Sequence, residues 1–125
     1  MTRAVSLSNL SYSISGADIL RQLDLEIPAE SYFAIAGING AGKSTLIKLI
    51  LDLIRPSAGS HIEIFGQYNR ATDCRNRLAY LPEKFDVRKG VTGWQYLNFV
   101  SSIYQRSLDK NRAKELAEKL DFTKS

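Results

Sequence analysis

One cysteine and one histidine occur among the 125 residues, and these scarcities already exclude much. The lone Cys74 cannot close an internal disulfide, so a disulfide-stapled scaffold is ruled out and a reduced, cytosolic setting is expected. Neither Cys74 nor His61 has a second ligand at metal-binding spacing. Cys74, in a charged stretch, reads as structurally incidental, and His61 as a solvated residue at the start of a strand. No apolar run approaches the roughly 20 residues that a bilayer-spanning helix needs. Met1-Thr2-Arg3-Ala4 leads into an alternating segment instead of a signal-peptide core. Internal repeats and low-complexity tracts are lacking. Charge of one sign is only weakly in excess. Seventeen basic residues against 13 acidic give a net +4, which suits nucleotides, nucleic acid or an anionic surface without choosing among them. The length has room for one modest domain.

What is present centres on Gly37-Ile38-Asn39-Gly40-Ala41-Gly42-Lys43-Ser44-Thr45, a G-x-x-x-x-G-K-S pattern. Gly37, Gly40 and Gly42 tolerate positive φ and carry no Cβ, so the backbone can wrap an anion and turn its N–H groups inward. A helix is expected to begin near Lys43, bringing unpaired amides and its positive dipole end to the same anion. In such a loop Lys43 reaches the β- and γ-phosphates, Ser44 places a hydroxyl on Mg²⁺, and Thr45 reaches the α-phosphate. The flanks agree with this. Tyr32-Phe33-Ala34-Ile35-Ala36 is a short apolar run suited to a buried strand, and Leu46-Ile47-Lys48-Leu49-Ile50-Leu51 is an apolar helix candidate.

Upstream, Val5 to Tyr12 alternates apolar and polar residues, then shifts phase around Asn9, which predicts a strand with a bulge. Ser15-Gly16-Ala17-Asp18 is a turn signal. A second alternating run follows from Ile19 to Ile27, with Leu23, Leu25 and Ile27 on one side, and is expected to pair antiparallel with the first. Downstream of the loop helix, Arg55-Pro56-Ser57-Ala58-Gly59-Ser60 marks a connection. His61-Ile62-Glu63-Ile64-Phe65 alternates, residues 69–77 are polar and basic, and Leu78-Ala79-Tyr80-Leu81 is a short apolar run ended by Pro82 and Glu83. A rival reading makes residues 78–83 the acidic, metal-holding strand of a phosphate-loop enzyme. Pro82 intrudes where that strand would deliver its carboxylate, which speaks against it.

From Thr92, a good helix cap, Leu97, Val100, Ile103 and Tyr104 follow helical spacing. The aromatics Trp94, Tyr96, Phe99 and Tyr104 read as helix packing rather than a base-stacking platform, so no nucleic-acid partner is expected. Ser107 or Asp109 is placed to cap a last helix with Ala113, Leu116, Ala117 and Leu120 on one face.

The order GINGAGKST, PSAG at residues 56–59, IEIFG and LAYLPE resembles the ATP-binding domain of ABC transporters, over nearly the whole chain. That resemblance implies an α/β phosphate-loop NTPase core with an antiparallel β subdomain over residues 1–90, and the start of a helical subdomain over 91–125. It implies ATP and Mg²⁺ as cofactors. Tyr12 stands where such domains stack an aromatic on adenine. Glu83 stands at the family's glutamine loop, where a carboxylate still offers Mg²⁺ an oxygen. The LPE segment with Val91-Thr92 looks like the exporter-type branch. Implied partners are a membrane permease and a second ATP-binding subunit in a head-to-tail dimer, with the protein peripheral on the cytoplasmic face.

The LSGGQ-like signature, the apolar strand ending in Asp-Glu and the switch histidine of the family pattern are not among these residues. The clamp and half of a metal site are expected here, not a complete catalytic set, so this chain alone should hydrolyse little ATP. The loop helix and its strand would also leave an uncovered apolar patch. Two other readings stand beside this one: a non-catalytic nucleotide-binding or permease-docking module, and a small phosphate-loop kinase with Arg70, Arg75 and Arg77 as lid candidates.

Overall fold

The computed structural model describes residues 2–84 and 89–121. The chain divides into two compact units, Met1–Ala79 and Tyr80–Ser125.

The first unit is built on a long hairpin. Strands β1 (Arg3–Ile14) and β2 (Ala17–Pro28) pair antiparallel through a two-residue turn in which Ser15 and Gly16 both take positive φ (49° and 80°). That turn geometry matches the twist of the flanking strands. The phase shift expected at Asn9 is there: Leu7 opposes Leu25 but Leu10 opposes Leu23, so β1 carries one extra residue, and Asn9 adopts φ 51°. A matching irregularity on β2 follows at Gln22, φ 44°. Both strands thereby keep their apolar residues on one face in spite of a broken alternation.

Strand β3 (His61–Ile64) pairs antiparallel with β1, and β4 (Gln67–Tyr68) returns against β3, giving the sheet order β2-β1-β3-β4. Helix α1 (Lys43–Ile50) lays Leu46 and Leu49 on that sheet. With Leu7, Leu10 and Ile62 they form the buried core, and Val5, Tyr12, Leu20, Leu23 and Leu25 pack at its margin.

The polar stretch after β4 does more than its composition suggests. Asn69 is buried, and its side-chain amide donates to the carbonyls of Leu49 (3.0 Å) and Ile50 (3.2 Å) at the end of α1, where Leu49 O also accepts from Asp52 N–H at 3.1 Å. Arg70 and Arg75 both pair with Asp52, just beyond α1. Arg77 lies over the Phe65 ring. The one-turn helix α2 (Thr72–Arg75) buries Cys74, whose thiol donates to the carbonyls of Asn69 and Ala71. Cys74 is therefore a core residue, not an incidental one.

Residues 32–36 do not form the expected buried strand. They have no regular secondary structure, Tyr32 is fully exposed, and Phe33 and Ile35 are exposed as well. A strand is completed by neighbours that accept and donate along its length, and no described segment lies in register beside this one. Residues 78–82 likewise carry no regular structure, and Leu81 is exposed.

In the second unit, α3 (Gly93–Ile103) opens with a capping box. The Thr92 hydroxyl accepts from Gln95 N–H, and the Gln95 side chain accepts from Thr92 N–H at 2.8 Å. Helix α4 (Lys110–Lys119) is capped by Asp109, not Ser107. Glu115 lies between Lys119 and Arg112, whose hydrogen bonds, that of Lys119 foremost, hold its carboxyl below the usual range. The expected packing of the α3 aromatics is not seen. Neither helix buries a residue, and Trp94, Phe99, Ile103 and Tyr104 are exposed among the described residues.

Candidate functional site

The glycine loop runs from the exposed segment 32–36 to the first turn of α1. Gly40 and Gly42 use the positive φ that glycine permits (85° and 87°), whereas Gly37 does not. The requirement is sharpest at Gly42. A Cβ there would come within 3.2 Å of both Ile19 Cγ2 and Leu20 Cδ2, so a side chain would have to push both aside by a few tenths of an ångström on top of the strain of positive φ. Gly37 sits close to Ala41, where a Cβ would meet Ala41 Cβ at 3.4 Å. Ala41 N–H donates to Ile38 O (3.2 Å) and closes a turn, leaving Ile38 and Asn39 exposed at its crest.

Gly42 is also the N-cap of α1, and having no side chain it supplies no cap hydrogen bond. The first α-helical bond runs from Leu46 N–H to Gly42 O at 2.8 Å, so the amides of Lys43, Ser44 and Thr45 precede it. Helices α3 and α4 satisfy the corresponding amides with Thr92 and Asp109. The start of α1 is thus a positively polarised end with its donors uncommitted to a side chain, as an anion requires. Lys43 Nζ curls back and donates to Gly37 O (2.8 Å) and Ile38 O (2.7 Å), which holds its ammonium over the loop. Ser44 is exposed and Thr45 half-buried.

Tyr12 is brought to this site by strand pairing. It opposes Leu20, the residue on which Gly42 rests, and it packs half-buried at the margin of the core. Ile19 and Leu20, the floor of the loop, were not singled out in the sequence. Their signal is two adjacent apolar residues at the start of an alternating run. Beside the loop lies an open apolar cleft of about 350 Å³ between Leu20, Leu23 and Leu25 of β2, residues 33–36, and Leu46 of α1.

Glu83 is exposed and belongs to the second unit. Among the described residues no group of three His, Cys, Asp or Glu side chains is placed to hold a metal ion, and no helix is long and apolar enough to cross a membrane. A hard cation at the loop would take a hydroxyl from Ser44. Mg²⁺ suits so sparse a protein donor set, because it keeps most of its ligands as water and substrate phosphate.

A glycine loop feeding an uncapped helix that packs on a sheet defines the class of phosphate-loop nucleotide-binding α/β domains. Within that class, the family model described as ABC transporter matches residues 20–125. The chain belongs to this family. It is 32% identical over 121 residues to the daunorubicin/doxorubicin resistance ATP-binding protein DrrA of Streptomyces peucetius, covering 94% of this chain and 36% of that protein. It is 35% identical over 86 residues to the zinc import ATP-binding protein ZnuC of Psychrobacter arcticus, covering 69% of this chain and 32% of that protein. A putative ABC transporter ATP-binding protein from Pyrococcus furiosus superposes with a TM-score of 0.78 at 25% identity, over 91% of this chain and 55% of that one. The chain therefore spans about a third of the length of these curated relatives.

Proposed function

We propose that this chain binds MgATP through residues 37–45 and forms part of the ATPase subunit that energises a membrane permease. The observation that carries the reading is the start of α1. A glycine in place of a capping side chain, a lysine ammonium held over the loop and a close approach to β2 at Gly42, where positive φ favours glycine, together make a cradle for a polyphosphate. In this reading the loop amides and Lys43 bind the phosphates and Thr45 supports them. Ser44 gives Mg²⁺ one oxygen. Tyr12 stacks on the base, a contact worth roughly 1–3 kcal/mol that tolerates different bases. Bound Mg²⁺ supplies neutralisation of phosphate charge, and the chain's own part is to hold and orient the nucleotide.

The wider assignment follows the family. The partner is a membrane permease that holds the protein at the cytoplasmic face, and a second ATP-binding subunit faces this one head to tail. Export is proposed from residues 81–92, of which 85–88 lie outside the described residues. By name the relatives include both a drug-resistance protein and a zinc import protein, so the proposed direction rests on residues 81–92 alone. Hydrolysis by these 125 residues alone is expected to be slight.

Calorimetric titration with MgATP is the test. The folded chain should release heat on binding, and Lys43→Ala should abolish most of it. A folded wild-type chain that gives no heat and no spectral change defeats the proposal. Turnover matching an intact ATPase, lost in Lys43→Ala, would overturn the expectation of weak hydrolysis and leave binding intact.

A further inference from the structure

We propose that Asn9 is a positioning residue for nucleobase recognition: its bulge turns Tyr12 toward the side of the sheet on which the phosphate loop lies. The inference rests on the reading of Tyr12 as the base-stacking residue.

In an unbroken β1, alternation from the buried Leu7 would send Asn9 and Ser11 to the core face and turn Leu10 and Tyr12 to the other side. The structure shows the reverse, with Leu7 and Leu10 both buried and Tyr12 packed at the same core. The extra residue that flips the phase is Asn9, at φ 51°. Asparagine is among the few residues besides glycine that hold this conformation at small cost.

The bulge is fastened on two sides. Asn9 N–H donates to Asp24 Oδ1 at 2.7 Å, and Asn9 Nδ2 donates to Gly59 O at 3.3 Å. The compensating irregularity on β2 is tied in the same way, since Gln22 N–H donates to Ser11 Oγ at 2.9 Å. Ser11 in turn is held by Ser60, whose hydroxyl accepts from Ser11 N–H at 3.0 Å. The polar groups that a bulge frees from the ladder are thus taken up one by one, and the connection after α1 is pinned to the strand bearing Tyr12.

The test is the ratio of affinities for MgATP and Mg-tripolyphosphate, measured on the full chain. Tripolyphosphate has the phosphates but no base, so it reports the loop alone. Asn9→Val disfavours positive φ. It should weaken MgATP about tenfold, the scale of a lost base stack, with tripolyphosphate affinity unchanged. Asn9→Gly holds the same φ and should restore the wild-type ratio. Adding Tyr12→Ala to Asn9→Val should cost nothing further, because both remove one contact. Equal losses for both ligands, no loss for either, or additive losses in the double variant would overturn the inference. If Asn9→Val does not fold, Asp24→Ala, which removes the acceptor at the bulge, is judged by the same criteria. Tyr12→Ala separates the two levels. If it leaves the ratio unchanged, the stacking reading itself fails. If it lowers the ratio while the Asn9 and Asp24 variants do not, only the positioning role fails.

Discussion

Helices α1 and α3 make opposite bargains with the rest of the chain. Helix α1 has eight residues, no side-chain cap and a glycine at its start, yet Leu46 and Leu49 are buried on the sheet and Asn69 closes its far end. Helix α3 has 11 residues and a full capping box, and buries none of them. Short isolated helices are marginal in water, so α1 depends on tertiary packing while α3 rests on local signals. The contrast matters for function. A helix held by its sides and its C-terminal end can leave its first amides to a ligand, whereas a helix held by its N-cap has already used them.

Substitutions can break this contrast or sharpen it. The largest effect is expected at Leu49, which is fully buried. Leu49→Ala should destabilise the first unit by about 2–5 kcal/mol in urea unfolding. Phe99→Ala on α3, at 61% exposure, should stay within about 0.5 kcal/mol. A comparable cost at Phe99 would mean that the face of α3 is covered in solution and the contrast is false. Thr92→Ala should lower stability of α3 by about 1 kcal/mol and reduce its amide protection from exchange, with no change in protection of α1.

The smallest effect is expected at the hairpin tip, where the Ser13 hydroxyl donates to Asp18 at 2.6 Å. That bond, aided by Arg21, holds the Asp18 carboxyl below its ordinary range. A carboxylate with a lowered pKa stabilises the fold above its unfolded value and loses that contribution as pH falls through the folded one. Ser13→Ala should therefore reduce amide protection at the tip at neutral pH, and the difference should vanish in acid. A difference that grows in acid would contradict the assignment.

Much of the site was legible because its signals are local. The glycines, Lys43 and Ser44 report backbone freedom and charge at fixed spacing, and the phase shift at Asn9 reports the bulge. Thr92 reports a helix start. Residues 69–77 misled because composition says nothing about what a polar group touches. Asn69 and Cys74 are buried because carbonyls of α1 and of the preceding turn stand ready to accept from them.

The phosphate loop, the hairpin and the starts of α1 and α3 are written in the local order of residues, because each depends on dihedral preferences and hydrogen bonds within a few residues. It took packing between distant segments to rest Gly42 on Leu20 opposite Tyr12, to hold α1 at its far end by Asn69, and to leave residues 32–36 without a strand partner among the described residues. Those outcomes need a partner distant in the chain. Hydrophobic pattern can announce that a residue wants burial, but it does not name the surface that will bury it.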